Sequence, residues 1–249
     1  MNLSHTLHPD ASIVFLTGAG ISAESGLETF RGAGGLWCGQ CIEEVATPEA
    51  FRHNPEQVHA FYNRRRAGLL NPAVQPNQAH KALAMLEKNW GGDVLVITQN
   101  IDNLHERAGV QNLVHMHGEL LKAFCIYCSH GTGAKIECRA DLSVEDVCPR
   151  CGLEGGLRPD IVWFGEMPYH LDIINAALAG CDVFVAIGTS GQVYPAAGFV
   201  EAARSAGAIT IEMNLEPSLR VSAFGQSIVG PAGKTVPRLV DSLLSRRTF

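Results

Sequence analysis

The sequence predicts an α/β fold: a parallel sheet covered on both faces, with a small zinc-binding module inserted in it. Three observations lead there. Short, wholly apolar runs alternate with stretches of helical pattern, as strands buried on both faces require. Each apolar run ends in Gly, Asn, Ser or Thr before the chain turns polar. One segment, 124–158, breaks the rhythm with five cysteines, several glycines and few long apolar runs.

The strands come first. Ile13–Thr17 runs into Gly18-Ala19-Gly20, Val94–Thr98 into Gln99-Asn100-Ile101-Asp102, Val183–Ile187 into Gly188-Thr189-Ser190, and Ala208–Met213 into Asn214-Leu215-Glu216. Ligands of open parallel sheets bind beyond the carboxyl ends of the strands, where these polar residues fall. Between the strands lie the helices. Asn54-Pro55-Glu56-Gln57 is a helix start, with a capping Asn, Pro in the first turn and Gln three residues after the cap, and the helix is expected to reach about Leu70. Ala79–Lys88, Tyr169–Leu178 and Pro195–Ala206 read similarly, and Gly109, Gly180 and Gly207 stand where helix ends want a left-handed residue.

Composition narrows the function. With 249 residues the chain can build one large domain or two unequal ones. A hydrophobic fraction of 46% against 18% charged residues excludes a disordered chain. No apolar run nears the ~18 residues of a membrane helix. The first ten residues carry no Lys or Arg and lack the pattern of a signal peptide, so a cytoplasmic protein without a membrane partner is expected. A net charge of −6 argues against stable nucleic-acid binding.

Gly18-Ala19-Gly20-Ile21-Ser22-Ala23 fits G-x-G-x-x-A after a strand and before an expected helix, a pattern that lets backbone N–H groups approach a pyrophosphate. A tight strand–helix turn would read the same way. The acidic residue usual about 20 positions later is not obvious. Arg31-Gly32-Ala33-Gly34-Gly35-Leu36-Trp37 follows instead, a glycine-rich loop expected to cover the site, and Glu216 could supply the acid. Cys125-x2-Cys128 and Cys148-x2-Cys151, nineteen residues apart, have the spacing of a four-thiolate zinc site. Four protein ligands leave no position for water, so such a zinc is structural. Cys38 and Cys41 form a third C-x2-C with no pair to complete it and read as incidental thiols, Cys138 as spare and Cys181 as buried.

These motifs, with Thr29-Phe30-Arg31, His115-Met116-His117-Gly118 and Val162-Trp163-Phe164-Gly165-Glu166, occur in an order that resembles the sirtuins, NAD-dependent protein-lysine deacylases, over about Ile13 to Leu244. The resemblance implies a large Rossmann-like domain over 10–120 and 158–249, with a cofactor loop and a helical part at about 28–75, and a zinc module over 121–157. It implies NAD as co-substrate, one structural Zn2+ and acyl-lysine proteins or peptides as substrates of a monomer. His117 becomes the catalytic base. Gly18, Ala19, Gly20, Ser22, Ala23, Phe30, Arg31 and Trp37 supply the phosphate and cofactor loops. Gln99, Asn100 and Asp102 take the nicotinamide and its ribose. Gly188, Thr189, Ser190, Asn214, Leu215 and Glu216 take the adenosine half, with Ala232 against adenine. Ile101, Val162, Phe164, Gly165 and Glu166 meet the substrate, the 162–166 stretch pairing with it edge-on. In the family reaction the acyl oxygen displaces nicotinamide, and the base-activated ribose hydroxyl then carries the acyl group to O-acyl-ADP-ribose.

Tyr62 and Arg65 are i and i+3 on the helix opened by Asn54, hence on one face. By composition alone the run Arg64-Arg65-Arg66 reads as a solvated basic face. The resemblance, to the desuccinylase and demalonylase type of bacterial sirtuin, makes Tyr62 and Arg65 the carboxylate grip of an acyl pocket widened by Ala46, with Arg64 and Arg66 facing solvent. Desuccinylation together with deacetylation is the expected activity. An NAD- or ADP-ribose-binding sensor without turnover, mono-ADP-ribosyl transfer and a zinc-ribbon nucleic-acid module are the rival readings.

Overall fold

A computed structural model describes residues 7–29, 42–128 and 135–245. Phe30, Arg31, Trp37, Cys38 and Cys41 lie outside the described residues. Six parallel strands form the main sheet: β1 (Ile13–Thr17), β2 (Val94–Thr98), β3 (Leu113–His115), β7 (Val183–Ile187), β8 (Ile209–Asn214) and β9 (Gln226–Val229), in the order β3-β2-β1-β7-β8-β9. Successive residues point to opposite faces. Ile13, Phe15, Val183 and Val185 therefore pack with α4 (Gln78–Asn89) and α8 (Ala232–Leu244). Val14, Leu16, Phe184 and Ala186 pack on the other face with α6 (Leu171–Gly180) and α7 (Phe199–Ser205).

The strand order reverses between β1 and β7, where the sheet pairs Thr17 with Ile187. Two departures from the main sheet build on that frame. The short helices α1 (Ile42–Val45) and α2 (Pro48–His53) and the long α3 (Pro55–Leu69) form a second core with Ile101, Leu120, Leu121, Ile161 and Trp163. After β3 the chain leaves through β4 (Gly118–Cys125) and β5 (Ile136–Glu137) and returns through β6 (Leu157–Ile161), a separate antiparallel sheet of order β5-β4-β6. The remaining helix, α5 (Leu104–Ala108), follows β2. Among the described residues no helix is long and apolar enough to cross a membrane.

Three of the four expected strands form with the bounds read, and the fourth is shifted by one residue, to Ile209–Asn214. The α3 cap also forms: Asn54 Oδ1 accepts from the Gln57 N–H at 3.1 Å. Gly109 and Gly207 are left-handed, with φ of 105° and 97°. Gly180 is not: it remains inside α6, whose end at Cys181 is extended. That helix begins at Leu171, two residues late, because His170 takes the left-handed conformation at its N-terminus. The segment from Pro195 opens as a 3-10 turn at 196–198 before α7. The helix expected directly after Gly18-Ala19-Gly20 does not form as an α-helix. Two 3-10 turns, 19–21 and 23–25, stand there, the second ended by left-handed Gly26.

Candidate active site

The loops after β1 and β7 meet backbone to backbone. The Gly18 N–H donates to Ile187 O at 2.9 Å and the Gly20 N–H to Gly188 O at 3.0 Å. A Cβ on Gly18 would stand 2.7 Å from Gly188 O, one on Gly20 2.7 Å from Gly188 Cα, and one on Gly188 2.4 Å from the Ile21 nitrogen. Only glycine permits this approach. It opens a cleft of about 890 Å³ over the carboxyl edge of the sheet.

Gly18, Ala19, Gly20 and Ala23 line one wall of the cleft, with Gly188, Thr189 and Ser190 beside them. Asn214, Leu215, Glu216 and Ala232 close the end toward α8. Asn214 Nδ2 donates to Thr189 O at 3.0 Å and so ties the β7 and β8 loops together. Gln99, Asn100, Ile101 and His117 line the other end, followed by Ala46, Tyr62, Arg65, Val162, Phe164, Gly165 and Glu166. Ser22 and Asp102 do not line this cleft. They stand in the buried layer behind it, beside a smaller adjoining cavity of about 320 Å³.

That layer is a continuous polar network. Ser22 Oγ donates to Asp102 Oδ2 at 2.9 Å and accepts from Asn100 Nδ2 at 3.2 Å, while Asn100 Nδ2 also reaches Gly18 O. Thr17 Oγ1 bonds Thr98 Oγ1 and, at 3.0 Å, His105 Nε2. The His105 and His80 rings lie 4.9 Å apart, both with pKa lowered by burial, His80 to about 4. Burial raises that of Asp102 despite its bonds to the Leu104 N–H and Ser22. Asn100 Oδ1 is left buried without a partner, an acceptor turned to no protein group. Sequence patterns did not reveal His80, His105, Thr17 or Thr98, because polar residues inside apolar strands and helices carry no spacing signal of their own.

His117 follows β3, and its ring Nδ1 bonds the Gln99 carbonyl at 3.2 Å. A carbonyl only accepts, so Nδ1 carries the proton and Nε2 keeps a lone pair. Burial lowers the pKa of the ring more than the Gln99 carbonyl raises it, so His117 is a neutral base near pH 7.

At the far end of the cleft Tyr62 Oη accepts from Trp163 Nε1 at 2.9 Å, leaving its own hydrogen to donate. Burial pushes the Tyr62 pKa up to about 12, so that hydrogen stays on. Arg65 sits with its guanidinium 5.6 Å above the Phe61 ring. Burial lowers its pKa, while Tyr62, Asp102 and Glu28 oppose that shift. Arg64 is exposed, but Arg66 is not: it is 1% exposed and inserted between α3 and β4, where Nε donates to Leu120 O and Nη1 to Asn63 Oδ1.

The 162–166 stretch spends most of its N–H groups internally. Val162 donates to His117 O, Trp163 to Glu166 Oε2, Phe164 to Ala46 O and Glu166 to Trp163 O. Edge-on pairing there would use carbonyl oxygens and the Gly165 N–H. Glu166 itself is held by Arg158, at 2.7 Å. Glu24, absent from the expected set, lines the cleft and accepts from the Gly233 N–H of α8 at 2.8 Å.

The zinc site fits its metal. Cys125 and Cys151 Sγ lie 3.8 Å apart and Cys128 and Cys148 Sγ 3.7 Å, and all four Sγ lie within 4.8 Å of one another. Zn–S bonds of about 2.3 Å place the sulfurs of a tetrahedron about 3.8 Å apart.

Comparison with known proteins agrees with this geometry. Residues 18–195 match the model of the Sir2 family. A protein of Vibrio cholerae named NAD-dependent protein deacylase is 55% identical over 95% of this chain and 95% of its own length. One of Bdellovibrio bacteriovorus with the same name is 54% identical over 94% and 97%. A solved Sir2 homologue in complex with ADP-ribose superposes with a TM-score of 0.88 at 36% identity, covering 97% of this chain and 95% of the other. With the glycine cradle, the His117 loop and the four-thiolate module in one order and one fold, this chain belongs to the Sir2 family, the sirtuins.

Proposed function

We propose that the protein is an NAD-dependent protein-lysine deacylase that removes succinyl and acetyl groups, yielding nicotinamide, free lysine and O-acyl-ADP-ribose. The observation that carries this is the placement of His117, a neutral imidazole with its Nε2 lone pair available in the cleft that the glycine cradle opens. The cradle and Asn100 Oδ1 suit the pyrophosphate and the nicotinamide half of NAD. His117 takes a proton from a ribose hydroxyl, which then receives the acyl group. Zn2+ on the four cysteines supplies folding energy, since thiolate ligands alone fill its coordination.

The acyl choice rests on Ala46, Tyr62 and Arg65 sharing the far end of the cleft. Arg65 offers a planar pair of N–H donors to a terminal carboxylate and Tyr62 a further donor. An acetyl group lacks the carboxylate yet still fits, so both activities are expected. The substrate is a lysine in extended chain, met by a monomer in the cytoplasm with no membrane or nucleic-acid partner. Paired kinetics on one peptide carrying succinyl-lysine or acetyl-lysine, with NAD and mass detection of O-acyl-ADP-ribose, test the reading. Release of both acyl groups supports it. NAD binding without nicotinamide release would instead identify a sensor.

A further inference from the structure

Two histidines flank Met116, and both present Nδ1 to the same loop: His117 to Gln99 O and His115 to Asn100 O, each at 3.2 Å. Both Nδ1 atoms therefore carry a proton. The rings differ at the other nitrogen. His115 Nε2 stands 2.8 Å from Glu106 Oε1. A lone pair facing a carboxylate at that distance would be two acceptors in contact. The contact requires a second proton, which makes His115 an imidazolium.

Its surroundings favour that charge. Glu106 reaches it from α5 and Glu119 from β4, with Lys122 bonded to Glu119. Asp102, before α5, and His105, within it, also act on it electrostatically. Burial alone would lower the pKa of the ring. The Glu106 hydrogen bond and charge, with Glu119 and the Asn100 carbonyl, outweigh burial and raise it. Glu106, His115 and Glu119 also have the composition of a metal site. However, donors on a tetrahedral metal at about 2.0–2.2 Å stand about 3.4 Å apart, and the observed 2.8 Å is a hydrogen bond.

We propose that His115 is a positioning residue for the nicotinamide end of the cleft: its doubly protonated ring ties the Asn100 main chain to Glu106, and so fixes the side-chain amide that lines the cleft. Asn100 is held on three sides, by Thr98 Oγ1 on its N–H, by Gly18 O and Ser22 Oγ on Nδ2, and by His115 on its carbonyl. Oδ1 alone is left without a protein partner. The proposal rests on the NAD reading of the cleft.

The test compares His115→Asn, His115→Gln and His117→Ala in the zinc-loaded full chain. Asn places its amide N–H near the position of Nδ1, whereas Gln carries it out toward Nε2 and abandons the Asn100 carbonyl. His115→Gln should raise KM for NAD and the nicotinamide concentration for half-inhibition by about tenfold, the scale of one charged hydrogen bond. ADP-ribose, which lacks nicotinamide, should bind with unchanged Kd by calorimetry. His115→Asn should restore most of the NAD affinity. In the wild type kcat/KM for NAD should fall at alkaline pH as His115 loses its second proton, and His115→Asn should lack that limb. A wild-type KM for NAD in His115→Gln would overturn the proposal. So would weakening of ADP-ribose in parallel with NAD, which would mark general damage. NAD binding without nicotinamide release by the wild type would overturn the deacylase reading itself, whereas full turnover by His117→Ala would remove only His117 as its base. A dead His117→Ala beside an unaffected His115→Gln would overturn the His115 assignment alone.

Discussion

Arg65 and Arg66 are one residue apart on α3, a rotation of about 100°, and that rotation separates their tasks. Arg65 turns into the cleft beside Tyr62. Arg66 turns into the junction with β4, where its bond to Leu120 O holds the zinc module against the helix. A basic run in a sequence says nothing about which of its members is buried, and Arg66, expected in solvent, is the buried one. Loss of Arg65 should therefore be selective. Arg65→Met should lower kcat/KM for a succinyl-lysine peptide by roughly 10- to 150-fold, equivalent to about 1.5–3 kcal/mol of charged hydrogen bonding, while acetyl-lysine turnover changes little. Equal loss on both peptides in the paired assay would show that Arg65 does not read the acyl carboxylate. His117 makes a second prediction at this scale. Its lowered pKa keeps the ring neutral, so kcat/KM should hold as pH falls below 6.5, the ordinary histidine value, and drop only once the ring protonates. A pH–rate profile with its acid limb above 6.5 would contradict the geometry.

At the scale of elements, the zinc module and the His117 loop are joined end to end. β4 begins at Gly118, directly after His117, and pairs with β6, while Val162 after β6 donates back to His117 O. The cysteines organise a core with Ala123, Leu142 and Leu157. Removing the metal should loosen both strands that frame His117. Chelation, or Cys148→Ala, should abolish deacylation and lower the melting temperature together, which calorimetry and activity measured on the same sample will check. Apolar runs and the cysteine spacing made the main strands and the metal centre legible in advance, because burial and coordination each impose a local pattern. The 3-10 turns after Gly18 and the end of α6 at Cys181 were not legible. Both depend on how neighbouring loops pack, and the same glycines are compatible with either outcome.

At the scale of the whole molecule, three histidines held neutral by burial become a liability in acid. His59, His80 and His105 all have pKa values below 6.5, each lowered chiefly by burial, that of His80 to about 4. The unfolded chain takes up their protons first. Stability should thus be complete above about pH 6.5 and decline as pH falls toward 4, by up to about 1.4 kcal/mol per pH unit for each group in its titrating range. His115 acts in the opposite sense: its raised pKa gives stability that is full below 6.5 and is lost as pH rises through the folded value. A series of thermal melts should show the acid decline reduced in His80→Asn. The cleft position was readable from strand endings alone, since a parallel sheet gathers its loops at one edge. The polar layer behind it was not, because its members come from three separate stretches, 17–22, His80 and 98–105, that only the fold brings together.

The meeting of Gly18, Gly20 and Gly188 also bears on how this protein can change over generations. The nearest atom each added Cβ would meet belongs to the main chain, which no change of side chain can shrink. A crowded side chain elsewhere in the core can be relieved by shrinking its neighbour, so paired changes can pass through an intermediate that folds. Here no neighbour can be reduced. Every amino-acid replacement at these three codons adds at least a Cβ, and no second-site substitution can make room for it. In a library of random variants these positions should stand as blank columns without suppressors, while Tyr62 and Arg65, whose neighbours are side chains, remain free to be exchanged.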